Sequence, residues 1–168
     1  MFNLLVSAAL AAVPSTCPPE VISQLDGLYE WHLKDQHRRD RWTLEPKKRL
    51  FTPELFNSLE EAWSLDPRVD GAYVDFIVFS GTQVSTFGAK VNSCRQLFPG
   101  VIEADVSVQA GLRGRTSEQP QQITYRLVQM DGNWKVSDLI YNNSDGQSST
   151  LSTRLNDILR RAAESPRR

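Results

Sequence analysis

A chain of 168 residues, 40% of them hydrophobic, has the size of one domain that can bury a core without a metal or several disulfide staples. Its 19 basic and 20 acidic residues leave a net charge of -1, which argues against nucleic acid or an anionic membrane surface as a partner. Its 2 cysteines, Cys17 and Cys94, lack the C-x-x-C spacing of a zinc site or a redox dithiol, so the choice is between a disulfide and two buried thiols.

The apolar run from Phe2 to Val13 ends in small residues, and Ala9-Leu10-Ala11 matches the small-x-small pattern of a processing site. Residues 1–16 therefore read as a signal peptide, which predicts a secreted or periplasmic protein; if the run is not cleaved, a cytoplasmic one is expected. The run is too short to span a bilayer, where about twenty apolar residues are needed, so no stable membrane insertion is expected. Pro18-Pro19-Glu20 then opens a helix, with Thr16 or Cys17 expected at the cap. Val21, Ile22, Leu25, Leu28, Tyr29, His32 and Leu33 recur at helical spacing and form its apolar stripe. Gly27 costs this helix about 1 kcal/mol relative to alanine, which predicts a close backbone approach.

Basic residues gather from His37 to Arg49 and read as a solvated helix end and loop in preference to an anion site. Thr52-Pro53 starts a second helix whose buried face is Leu55, Phe56, Leu59, Ala62 and Trp63, with Asp66-Pro67 as its end. The aromatic cluster Tyr73 to Phe79 reads as a short strand or an ordered loop. A strand is expected over Val84 to Val91, with Asn92 to Arg95 in a turn. From Ile102 to Ala110 every even position is apolar and every odd one polar, the period of a strand with one buried face. Ile123, Tyr125 and Leu127 repeat the pattern beyond a solvated connection at Leu112 to Gln122. Asp131-Gly132 makes a tight turn, and Trp134, Val136 and Ile140 point inward from the last strand. Ser149 or Thr150 caps a final helix, and 164–168 is a tail.

Two helices, a loop-rich middle and a meander closing on Asp131-Gly132-Asn133-Trp134-Lys135-Val136-Ser137-Asp138-Leu139 resemble the nuclear transport factor 2-like (cystatin-like) superfamily. Within it the chain looks most like small exported bacterial proteins carrying a domain of unknown function, on Leu28-Tyr29-Glu30-Trp31-His32-Leu33 and on the helix start Leu50 to Leu55. The resemblance spans one domain, residues 17–163. It implies an α+β fold in which a strongly bent antiparallel sheet wraps as a cone around the N-terminal helix, with a cavity at its open end.

Fold does not dictate function, so the site is read from residues. Inward parity would place Asp138 beside Trp134 and Val136, where an ionised carboxylate is costly unless paired, and His32 on the helix stripe is its natural partner. Tyr29, Tyr125 and Trp134 are the expected cavity lining. Asp138 and His32 would suit a small lyase or isomerase, since burial and pairing bring both toward working pH. The favoured expectation is a non-catalytic exported domain, without cofactor or metal, that binds a small apolar ligand or a protein partner. A periplasmic immunity or inhibitor protein is the further alternative, and a homodimer is compatible with the composition. A bulge near Ser137 would swing Asp138 out of the cavity.

Overall fold

The computed structural model describes residues 16–36, 44–142 and 146–165. Residues 1–15 of the expected leader, Arg38, Arg39 and Arg41 of the basic run, and the last three residues of the tail lie outside them. The apolar stripe winds into α1 (Pro19–Asp35) and buries Val21, Leu25, Leu28, Tyr29 and His32. Its cap position is Pro18 and not Thr16 or Cys17, and no side chain caps it. Lys47, Lys48 and Arg49 lie on a 3-10 turn, Glu45–Leu50. Thr52 caps α2 (Pro53–Trp63) by accepting from the Leu55 N–H, and Leu55, Phe56, Leu59 and Ala62 are buried. The helix closes at Ser64; Asp66-Pro67, expected as its end, instead starts the single turn α3 (Pro67–Asp70), where the Asp66 carboxylate accepts from the Arg68 N–H.

Six strands follow: β1 (Ser85–Phe98), β2 (Val101–Leu112), β3 (Arg115–Thr116), β4 (Gln121–Met130), β5 (Asn133–Asn142) and β6 (Ser148–Thr150). They form one open antiparallel sheet in the order β1-β2-β4-β5-β6, with β3 paired to the end of β2. The fold is thus α+β, with an N-terminal helix. On β2 and β4 the alternation sets the register, because a slip of one residue would turn the apolar set to water. Ile102, Ala104 and Val106 stand opposite Leu127, Tyr125 and Ile123, and all six are buried. Asp131 and Gly132 both have positive φ, 51° and 75°, the geometry of the two-residue hairpin turn joining β4 to β5.

In the sheet, three further expectations are corrected. β1 is longer than Val84–Val91 and carries Asn92 to Arg95 inside it, because bulges at Phe87, Asn92 and Leu97 each insert one residue against β2 and break the simple alternation. The connection after β2 is not wholly loop: Arg113-Gly114 turns the chain so that β3 pairs with Gly111 and Leu112. A Cβ on Gly111 would lie 1.9 Å from the Arg115 carbonyl oxygen, so this return requires glycine. On β5, Val136 opposes Leu127 but Asp138 opposes Arg126, which leaves Ser137 as an extra residue. Even positions therefore face inward only as far as Val136; beyond the bulge Leu139 and Tyr141 are buried, and Asp138 and Ile140 share the face of Arg126.

The free edge of β5 is covered piecewise. Thr52 N–H donates to the Val136 carbonyl (2.9 Å), and β6 pairs with Ile140 to Asn142. Thr150 then caps α4 (Leu151–Glu164), whose Leu151, Leu155 and Ile158 are buried. The cluster Tyr73 to Phe79 forms no named strand; Ile77 bridges to Thr82, and Val78 and Phe79 are buried. Phe79 is fully buried and meets the rings of Trp31, His32 and Phe51 edge-on or tilted at 5.3–6.3 Å between centroids.

Candidate functional site

The inner face of the sheet gathers the chemistry-bearing side chains of α1. Helical spacing sets Leu25, Tyr29 and His32 on one stripe, and the inward parity of β4 aims Tyr125 at it. The Tyr125 hydroxyl donates to the Tyr29 hydroxyl (2.9 Å), which donates to the Phe79 carbonyl (2.9 Å). The two rings meet edge to face at 6.2 Å. Burial raises the pKa of Tyr29, partly offset by the bond from Tyr125, and raises Tyr125 well above the ordinary tyrosine value as well. Both stay neutral hydrogen-bonding groups at any ordinary pH. On β5, the Tyr141 hydroxyl likewise donates to the Val78 carbonyl (2.9 Å), so two tyrosines secure successive carbonyls of the 71–84 segment.

One turn beyond Tyr29, His32 is buried with Nε2 3.1 Å from the Thr86 hydroxyl of β1. Gln36, at the end of α1, meets the backbone of the same residue twice. Its amide donates to the Thr86 carbonyl (2.7 Å), and its oxygen accepts from the Thr86 N–H (2.8 Å). A side chain here does what a neighbouring strand would do for β1 at the sheet edge. At the other end of α1, Cys17 and Cys94 are joined in a disulfide, with Cα atoms 4.8 Å apart. Helix and strand are thus fastened at both ends, covalently at Cys17 and by hydrogen bonds at His32 and Gln36.

Asp138 lies on the other face. One oxygen accepts from its neighbour's N–H at Leu139 (2.9 Å) and from the Ser152 N–H (3.0 Å) in the first turn of α4. Thr150 takes the Thr153 N–H (3.1 Å), so two of the donors that a helix start leaves open are met, and a negative charge faces the positive helix end. The Ser137 bulge produces this placement. Trp134, nominated for the cavity with Tyr29 and Tyr125, is half-buried against the core.

Sequence reasoning missed the ion cluster on the outward face. Glu103, 5% exposed, lies between Arg95 (2.5 Å) and Arg126 (2.7 Å) on the flanking strands. Burial pushes its carboxyl up, and the hydrogen bonds and charges of Arg126 and Arg95 more than offset this, so it stays below the usual glutamate value. The signal was present only as register: Arg95, Glu103 and Arg126 align once the strand pairing is known. Gln36 and Thr86 gave no signal, since their pairing spans 50 residues.

Among the described residues, no group of three or more His, Cys, Asp or Glu side chains is placed to hold a metal ion, and no helix is long and apolar enough to cross a membrane. No family model, curated protein or solved structure matches the chain.

Proposed function

We propose that the protein is an exported, non-catalytic domain of the nuclear transport factor 2-like kind, its sheet bent as a cone around α1, that acts by binding a protein partner at its surface. The observation that carries this reading is the Cys17–Cys94 disulfide. Such bonds form and persist in oxidising compartments, and the residues ahead of Cys17 have the pattern of a cleaved leader. The bulges in β1 and β5 support the cone, because each bends its strand and increases the local twist.

Surface binding is favoured over a ligand inside the cone by how the polar side chains facing α1 are engaged. Tyr29 and Tyr125 bond to each other and to the Phe79 carbonyl, and His32 meets Thr86. Asp138, the acid of the lyase alternative, serves the start of α4 on the outward face. The reading is tested by expressing the full chain with a C-terminal tag in a bacterial host and fractionating the cells. The tagged protein is expected in the periplasm or the medium, and deletion of residues 2–16 is expected to retain it in the cytoplasm. Recovery of the uncut chain from the cytoplasm would overturn the proposal.

A further inference from the structure

Gly27 lies in the middle of α1, and a Cβ built on it meets no atom within 4 Å. Its φ is not positive, so the backbone does not demand glycine either. The close approach that a mid-helix glycine predicts is made by nothing among the described residues. Among the described residues nothing packs on this side of α1: Pro19, Ile22, Ser23, Asp26 and Glu30 surround Gly27 and line a shallow depression of about 490 Å³. Ile22 is 37% exposed there, although every other large apolar residue of the helix is buried or half-buried. Asp26 and Glu30, one turn apart, stand exposed beside it, with no ion-pair partner among the described residues.

We infer that this face of α1 is the docking site for a basic helical segment of a partner protein; the inference rests on the surface-binding reading above. A glycine between larger neighbours forms a notch that admits the ridge of a second helix at short interaxial distance. Ile22 supplies an apolar anchor, and Asp26 and Glu30 supply charge complementary to Lys or Arg on the incoming segment. A second copy of this chain is disfavoured as the occupant. Packing α1 on α1 across the notch would bring Asp26 and Glu30 of both copies together, and like charges juxtaposed at an interface oppose association.

The test uses the full chain and a synthetic 18-residue amphipathic helical peptide that flanks a central Leu-Ala stripe with Lys, read by fluorescence anisotropy, with a Lys-to-Glu twin peptide as control. The wild-type protein is expected to bind the Lys peptide saturably, more weakly as salt rises, and not to bind the twin. Gly27→Leu fills the notch, and the pair Asp26→Asn with Glu30→Gln removes the charge; each is expected to weaken binding at least tenfold. Glu54→Gln with Glu61→Gln on α2 is expected to change nothing. Gly27→Leu adds a side chain where no atom is met, so its melting temperature should be unchanged or higher, which separates lost docking from lost folding. Absence of saturable binding, or equal binding by Gly27→Leu, would overturn the inference. So would a wild-type dimer in sedimentation velocity that Gly27→Leu dissociates, because it would assign the face to a second copy. Fractionation is read on the same variants: exported protein that ignores the peptide loses only the docking site, whereas an uncut cytoplasmic chain removes the reading beneath it.

Discussion

Replacing both cysteines, Cys17→Ala with Cys94→Ala, removes the one covalent tie between α1 and β1. The bond closes a loop of sequence separation 77. In the loop-entropy treatment, opening a loop of that size frees about 15 cal/mol/K in the unfolded chain, or about 4.5 kcal/mol at 25 °C. That is a large share of the roughly 5–15 kcal/mol by which domains are stable. Alanine leaves no hydroxyl at position 94, which is 2% exposed, so the loss is not inflated by an unmet polar group. The assay is urea unfolding followed by tryptophan fluorescence. With a slope of about 2 kcal/mol/M, the midpoint should fall by roughly 2 M. Wild type in excess reductant should lose a similar amount, and the double variant should not respond to reductant. A midpoint within about 0.3 M of wild type would mean that Cys17 and Cys94 constrain nothing that His32 and Gln36 do not already hold.

Asp138→Ala should cost about 1–2 kcal/mol by leaving the Ser152 N–H without its acceptor, whereas Asp138→Asn, which keeps an acceptor oxygen, should cost less; thermal melts of the two variants decide it. Tyr29→Phe should cost about 1–3 kcal/mol, because the Phe79 carbonyl and the Tyr125 hydroxyl both lose a partner, and Tyr125→Phe should cost less because Tyr29 keeps its bond to Phe79. Burial raises the pKa values of Tyr29, Tyr125 and Tyr141 in the fold, so the stability they add is present below the ordinary tyrosine value of about 10 and is lost as pH rises beyond it. Absorbance at 295 nm should therefore show these three ionising together with alkaline unfolding and not before. Glu103 is shifted the opposite way: its contribution is present above the ordinary glutamate value of about 4.3 and is lost as pH falls through that value and below. The melting temperatures of wild type and Glu103→Gln, separated at pH 7, should draw together as pH falls below the ordinary glutamate value, and a constant gap would contradict the role given to Arg95 and Arg126.

Much of the sheet was legible because its period is strict where one face is buried. Ile102 to Ala110 and Ile123 to Leu127 alternate without interruption, and both lie where expected. The same rule failed at Phe87, Asn92 and Leu97, because one inserted residue reverses parity and nothing in local composition marks it. At Ser137 the bulge was legible as the alternative, since an inward Asp138 would carry a burial cost that the extra residue relieves. That single residue at position 137 changed Asp138 from an inward acid to the support of a helix start. Helix starts at Thr52 and Thr150 were legible from capping chemistry, which is local. Gln36 on Thr86 and Glu103 between two arginines were not, since the partners come together only through the tertiary register.

We propose that a leader is removed and that the remaining domain is closed by its own Cys17–Cys94 disulfide in an oxidising compartment. Intact mass spectrometry on protein recovered without reductant, before and after reduction and alkylation, tests this most directly. The predicted result is a chain lacking a stretch within its first sixteen residues, inert to alkylation until reduced, then taking up two groups. A full-length mass from Met1 with both cysteines alkylated at once would contradict it.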